Sequence, residues 1–170
     1  MRNAVSLAVC VLMMVAAMAQ ADHLPDSLLA AGKPEKLLAG LNIEHSKVKD
    51  AIRRFGKPTR IDKDRYSWER RNCTIELVSS EATGPSDRLD LISVQRKGRS
   101  KVSIGTGKGL RIGDSIEAVA RIYGRKFHEH IVPGHKIHEI MVQWRGPEFS
   151  LIASLDSTGR IEKLSLFAPE

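Results

Sequence analysis

The stretch Thr106–Gly124, TGKGLRIGDSIEAVARIYG, restricts this chain more than any other. Ile116, Val119, Ala120 and Tyr123 recur at i, i+3, i+4 and i+7, the spacing of one helical face. Asp114 stands before that run and can accept a hydrogen bond from a free N–H of the first turn. Glu117, three residues on, completes a variant of the capping box. Gly124 supplies the left-handed residue that stops the helix.

A fainter copy lies upstream, from Leu41 to Gly56, LNIEHSKVKDAIRRFG. Val48, Ala51, Ile52 and Phe55 make the same face, Ser46 stands for Asp114, and Gly56 stands for Gly124. Pro58 then blocks continuation. Lys49 replaces the glutamate, so the upstream cap is expected to be weaker. Strand patterns follow both helices. Tyr66–Trp68, Cys73–Val78 and Leu89–Val94 follow the first; Ile140–Trp144, Phe149–Leu155 and Arg160–Phe167 follow the second. Lys101–Ile104 reads as a further brief strand. The predicted fold is therefore α+β: two tandem helix-plus-antiparallel-sheet repeats after a cleaved signal peptide. The expected boundaries are a signal peptide over 1–21, a lead-in over 22–40 with two short helical turns, a first repeat over 41–98, a linker over 99–109 and a second repeat over 110–170.

The signal peptide follows from Arg2, the apolar run Ala4–Ala19 and the small residues at Ala17, Ala19 and Ala21. That run is short of the roughly 20 residues a membrane span needs, and no later segment is apolar enough. The expected location is periplasmic or secreted. Cleavage removes Cys10 and leaves Cys73, so no internal disulfide is expected and the core must hold the fold. The formal net charge is +7. No acidic residue occurs between Asp90 and Asp114, while Arg96, Lys97, Arg99, Lys101, Lys108 and Arg111 do. Such a segment is either a solvated face or a surface for an acidic partner, and Arg96, Lys97, Arg99 and Lys101 are its candidate contacts. Nucleic acid is disfavoured by export and by few aromatic residues to stack on bases.

GLRIGDSIEAVARIYG, the following tryptophan-bearing strand and the D-x-x-G-x-I-x-x-L-x-L ending resemble the BamE (SmpA/OmlA-like) module. The resemblance covers Leu110–Phe167 well and Leu41–Gln95 loosely. Two modules in tandem are similar to the architecture of the β-lactamase inhibitory proteins. The resemblance implies small exported domains that bind proteins in the bacterial envelope. This chain differs in lacking a lipid-bearing cysteine after its leader and in lacking the disulfides of the inhibitory proteins.

Little in the sequence assembles a catalytic site. Gly105-Thr106-Gly107-Lys108-Gly109 has the wrong spacing for a phosphate-binding loop, and Leu110–Gly113 separates it from the helix, so it reads as a flexible joint. Cys73 falls on the apolar side of a strand, where a buried thiol is expected rather than a nucleophile. No base–nucleophile pair is visible. His128, His130, His135 and His138 cluster where the second half is longer than the first by about eight residues. A turn at Pro133-Gly134 would fold them into a hairpin able to offer imidazoles to zinc or copper. The expected function is a non-catalytic, exported protein-binding module with its partner on the exposed sheet faces or on the loops Glu81–Asp87 and Phe127–His138. The alternative is a metal-binding protein that uses the histidine hairpin.

Overall fold

Alternating apolar residues dominate this chain, and alternation is the pattern of a sheet buried on one face. The computed structural model describes residues 29–79, 88–132, 137–144 and 149–168. The expected signal peptide and the 81–87 loop lie outside them. In chain order the elements are β1 (Leu37–Leu38), β2 (Leu41–Asn42), α1 (Val48–Phe55), β3 (Arg60–Asp62), β4 (Arg65–Glu69), β5 (Cys73–Val78) and β6 (Leu91–Arg96). Then come α2 (Ile116–Tyr123), β7 (His128–Val132), β8 (Ile137–Gln143), β9 (Ser150–Leu155) and β10 (Ile161–Phe167). β1 and β2 pair with each other, and the rest form one eight-stranded sheet of order β3-β4-β5-β6-β10-β9-β8-β7. All its pairings are antiparallel.

This overturns the expected α+β arrangement of two tandem helix-plus-sheet repeats. The described chain is mostly one antiparallel sheet with two eight-residue helices. The physical cause is the pairing of β6 with β10, from Lys163↔Gln95 to Phe167↔Leu91. Those strands, expected to end separate sheets, pair edge to edge and become the middle of one. Their serines mark the seam: Ser93 and Ser165 are directly opposite, with hydroxyl oxygens 3.1 Å apart.

One face of the sheet carries the core. Trp68, Ile75, Ile92, Leu164, Leu151 and Ile140 are almost fully buried there. Each such side chain contributes about 1.5–3 kcal/mol by leaving water. Both helices pack on this inner face. Phe55 of α1 meets Trp68 edge-on with ring centroids 5.8 Å apart, and Tyr123 of α2 meets Trp144 at 5.7 Å. The first tryptophan is also tied down, because its indole N–H donates to the Gly56 carbonyl at 2.7 Å.

The helix stops agree with the expectation, with positive φ of 79° at Gly56 and 85° at Gly124. The caps sit one residue later than expected, at Lys47 and Ser115. Ser46 and Asp114 instead close the turns just before the helices. The Ser46 hydroxyl accepts from Asn42 N–H at 3.0 Å, and the Asp114 carboxylate accepts from Arg111 N–H at 2.8 Å. A hydrogen bond from the Ser115 hydroxyl, chief among several causes, holds the Glu117 carboxyl below its ordinary range.

Two further local expectations fail. No helical turn occurs over the described part of the lead-in, residues 29–40; its leucines enter β1 and the core, where Leu38 is buried. The Lys101–Ile104 strand does not form either; the nearest pairing there is an isolated bridge of Gly105 with Arg111.

The glycine segment is held by hydrogen bonds to that lead-in. Gly107 N–H donates to the Leu37 carbonyl at 3.0 Å, and Ala39 N–H donates to the Gly105 carbonyl at 3.1 Å. A Cβ at Gly105 would lie 2.2 Å from the Leu110 carbonyl oxygen, so the close approach requires glycine.

Candidate functional site

Three places answer to the sequence expectations or exceed them: the histidine hairpin, the outer face of the sheet and a basic cleft.

Strand register decides the histidines. His128 pairs with Met141 and His130 with Glu139, whereas His138 pairs with Ile131. Directly opposed residues share a face and successive residues alternate, so His128 and His130 project to one side and His138 to the other. His138 Nε2 lies 3.0 Å from a Glu129 oxygen on that other side. His135 lies outside the described residues. Among the described residues no three His, Cys, Asp or Glu side chains converge as a metal site would require.

The outer face carries a feature that alternation alone did not reveal. Val78 pairs with Leu91, and Leu91 with Phe167. Phe167 lies diagonal to Ile152, which pairs with Met141. Cross-strand and diagonal neighbours on one face are within side-chain reach, so these five apolar residues form a stripe across β5, β6, β10, β9 and β8. All five are half-buried and none belongs to the inner core cluster. Among the described elements, the helices send their buried side chains to the opposite face. Small side chains flank the stripe: Ser93, Ser165 and Ser150 lie low between longer neighbours.

The basic cleft lies at the far end of β6. Arg96, Arg99, Ser100, Lys101, Val102, Ser103, Arg111, Ile112 and Gly113 line a cavity of about 340 Å³. Three of the four expected basic contacts are therefore brought together, and Arg111 joins them. Lys97 is not; it turns away to an ion pair with Glu69. The cleft walls are held by backbone. Lys97 N–H donates to the Asn72 carbonyl at 2.9 Å, the Asn72 side-chain Nδ2 donates to the Lys101 carbonyl at 3.2 Å, and Gly105 bridges Arg111.

Arg96 is the buried member, with its side chain 13% exposed. One terminal nitrogen donates to Asp156, while its buried Nε–H has no partner among the described residues. Asp156 is saturated in turn by Thr158 N–H at 2.8 Å, the Thr158 hydroxyl at 2.6 Å and Arg160 N–H at 3.1 Å. The Thr158 hydroxyl bond, with smaller help from Arg96, holds the Asp156 carboxyl far below the usual range despite its desolvation.

A second, wider cleft of about 620 Å³ lies between α2 and β7. Its lining mixes Glu117 and Glu129 with Arg121 and Arg125, so it has no single charge preference.

Cys73 is buried on β5, as expected. Burial raises its thiol above the ordinary value, partly offset by Arg70 and Lys97, so it is a poor nucleophile. The described residues contain no helix long and apolar enough to cross a membrane.

No family model matches the chain, and no curated protein matches it. Among solved structures, the chain is similar to YjgB of Bacillus subtilis, a DUF4309 family protein. The superposition has a TM-score of 0.52 at 16% identity and covers 76% of this chain and 82% of that one. At such identity the likeness concerns the fold alone.

Proposed function

We propose that this chain is an exported, non-catalytic protein-binding module of the bacterial envelope or secreted fraction. The observation that carries the reading is the apolar stripe Val78–Leu91–Phe167–Ile152–Met141 on the outer face of the sheet. A contiguous apolar stripe outside the core cluster of the described residues suits a protein partner that presents apolar side chains of its own. Low serines beside it let such side chains approach the sheet closely. Export rests on the apolar leader of the sequence. The local resemblance of Leu110–Phe167 to the BamE module supports the same reading.

The test is chemical cross-linking of the mature protein in periplasmic extract and culture medium, beside a Leu91→Glu/Phe167→Glu variant. The two carboxylates would stand directly opposite each other and repel, so a melting curve first establishes that the variant is folded at the assay temperature. One protein cross-linked to the parent and lost from the variant supports the reading. Recovery of no protein, or equal recovery by both, refutes it.

A further inference from the structure

We infer that the cleft between β6 and residues 111–113 is a binding site for a phosphate-type oxyanion, independent of partner docking on the outer face. Arg96 points to the inner side of the sheet, because its register partner Cys73 belongs to the buried alternation of β5. The cleft and the apolar stripe are therefore on opposite faces.

Four observations define the ligand. The lining offers three guanidinium groups and one ammonium, from Arg96, Arg99, Arg111 and Lys101, and no carboxylate. Two carboxylates that hydrogen-bond to lining residues are already engaged, Asp156 by Thr158, Arg160 and Arg96, and Asp114 by Arg111 N–H. Among the described residues the buried Arg96 Nε–H has no acceptor, which a native fold rarely tolerates without a ligand or water to take it. The hydroxyls of Ser100 and Ser103 stand in the same lining, able to donate to further oxygens.

Guanidinium groups bind planar or tetrahedral oxyanions through paired N–H donors, and several of them around one cavity favour an anion with three or four oxygens over a lone carboxylate. A cavity of about 340 Å³ admits the phosphate with a small substituent, such as glycerol or a sugar. The shared chemistry is a phosphomonoester or phosphodiester group. A soluble phosphoester and an anionic lipid headgroup both present it.

The experiment uses calorimetric titration with glycerol 3-phosphate against glycerol, and co-sedimentation with vesicles of phosphatidylglycerol against phosphatidylcholine. The comparison protein is an Arg99→Gln/Arg111→Gln variant. Both residues are exposed, and an unchanged melting temperature confirms the fold. Affinity at least tenfold weaker in the variant, for glycerol 3-phosphate, identifies a soluble phosphoester site. The same loss with the vesicles alone identifies a headgroup site. Absence of binding to either probe, or binding that the variant leaves within twofold, overturns the assignment. The Leu91→Glu/Phe167→Glu variant retains phosphate binding, so failure here is distinguishable from failure of the docking face.

Discussion

Glu35 is the charged group most deeply committed to the fold, and its removal is the sharpest test of how the lead-in is held. It is 3% exposed, yet it carries a carboxylate. Oε1 accepts from Lys36 N–H and Leu37 N–H, each at 3.0 Å. Oε2 accepts from Lys108 N–H at 3.0 Å and the Tyr123 hydroxyl at 2.8 Å. The Tyr123 hydroxyl in turn lies 2.8 Å from the Thr106 hydroxyl. One side chain thus ties β1, the glycine segment and α2 together. Glu35→Ala leaves all of these donors without their acceptor. Each buried donor so orphaned costs about 1–3 kcal/mol. The main-chain donors at Lys36, Leu37 and Lys108 belong to residues that reach solvent, so water replaces part of what is lost. Relief of the buried charge offsets some of the remainder. The net expectation is about 2–4 kcal/mol of lost stability, or a melting temperature lower by roughly 5–15 °C. Glu35→Gln keeps the shape and one acceptor oxygen but turns a donor toward a donor, and is expected to cost about 1–2 kcal/mol. Urea unfolding followed by tryptophan fluorescence measures both, since Tyr123 lies against Trp144. A Glu35→Ala variant within about 0.5 kcal/mol of the parent would refute the reasoning, because it would mean that water satisfies the network as well as the carboxylate does.

Three further outcomes follow from the same geometry. Burial, and the adjacent Glu35 charge, raise the Tyr123 phenol well above its ordinary value against the opposing hydrogen bond from Thr106. The unfolded phenol ionises near pH 10, so this contribution to stability is full below that pH and is lost as pH rises beyond it; Tyr123→Phe is expected to flatten the alkaline limb of a stability–pH curve. Asp156 is depressed in the folded state, so its contribution is present above pH about 4 and lost as pH falls below it; an acid titration of Asp156→Asn with a slope as steep as the parent's would contradict this. The raised, buried Cys73 thiol is expected to resist a disulfide reagent in the native protein and to react fully once urea unfolds it; fast native reaction would show that β5 opens locally.

Several features of this protein were legible because they are local. Helix positions depend on spacing along a few residues, although α2 buries Ala118 with Val119 and Tyr123 where the spacing pointed to Ala120; the positive φ at Gly56 and Gly124 depends on the absence of a Cβ. The limits of β5, Cys73–Val78, coincide with the alternation read there. Basic residues 96–101 stood out by charge, but not their sorting. Lys97 leaves the group for an ion pair with Glu69, and Arg111 enters it because the chain returns at 111–113. The histidines illustrate the same limit: they are close in sequence, and a register that pairs His130 with Glu139 sends His138 to the opposite face.

By itself the sequence determined where this chain bends, which residues alternate, where its two short helices stop and where positive charge accumulates. Each of these rests on sterics or solvation within a few residues. Tertiary structure alone decided that β6 pairs with β10 and makes one eight-stranded sheet of what reads as two units. Alternation specifies that a strand has an apolar side; it does not specify which other strand will take its hydrogen bonds. That choice also aligned five dispersed apolar residues into one stripe, while packing of the lead-in against the glycine segment and α2 engaged Glu35. It turned the duplicated capped helix, the most conspicuous pattern in the sequence, into a minor covering element of a mostly β protein.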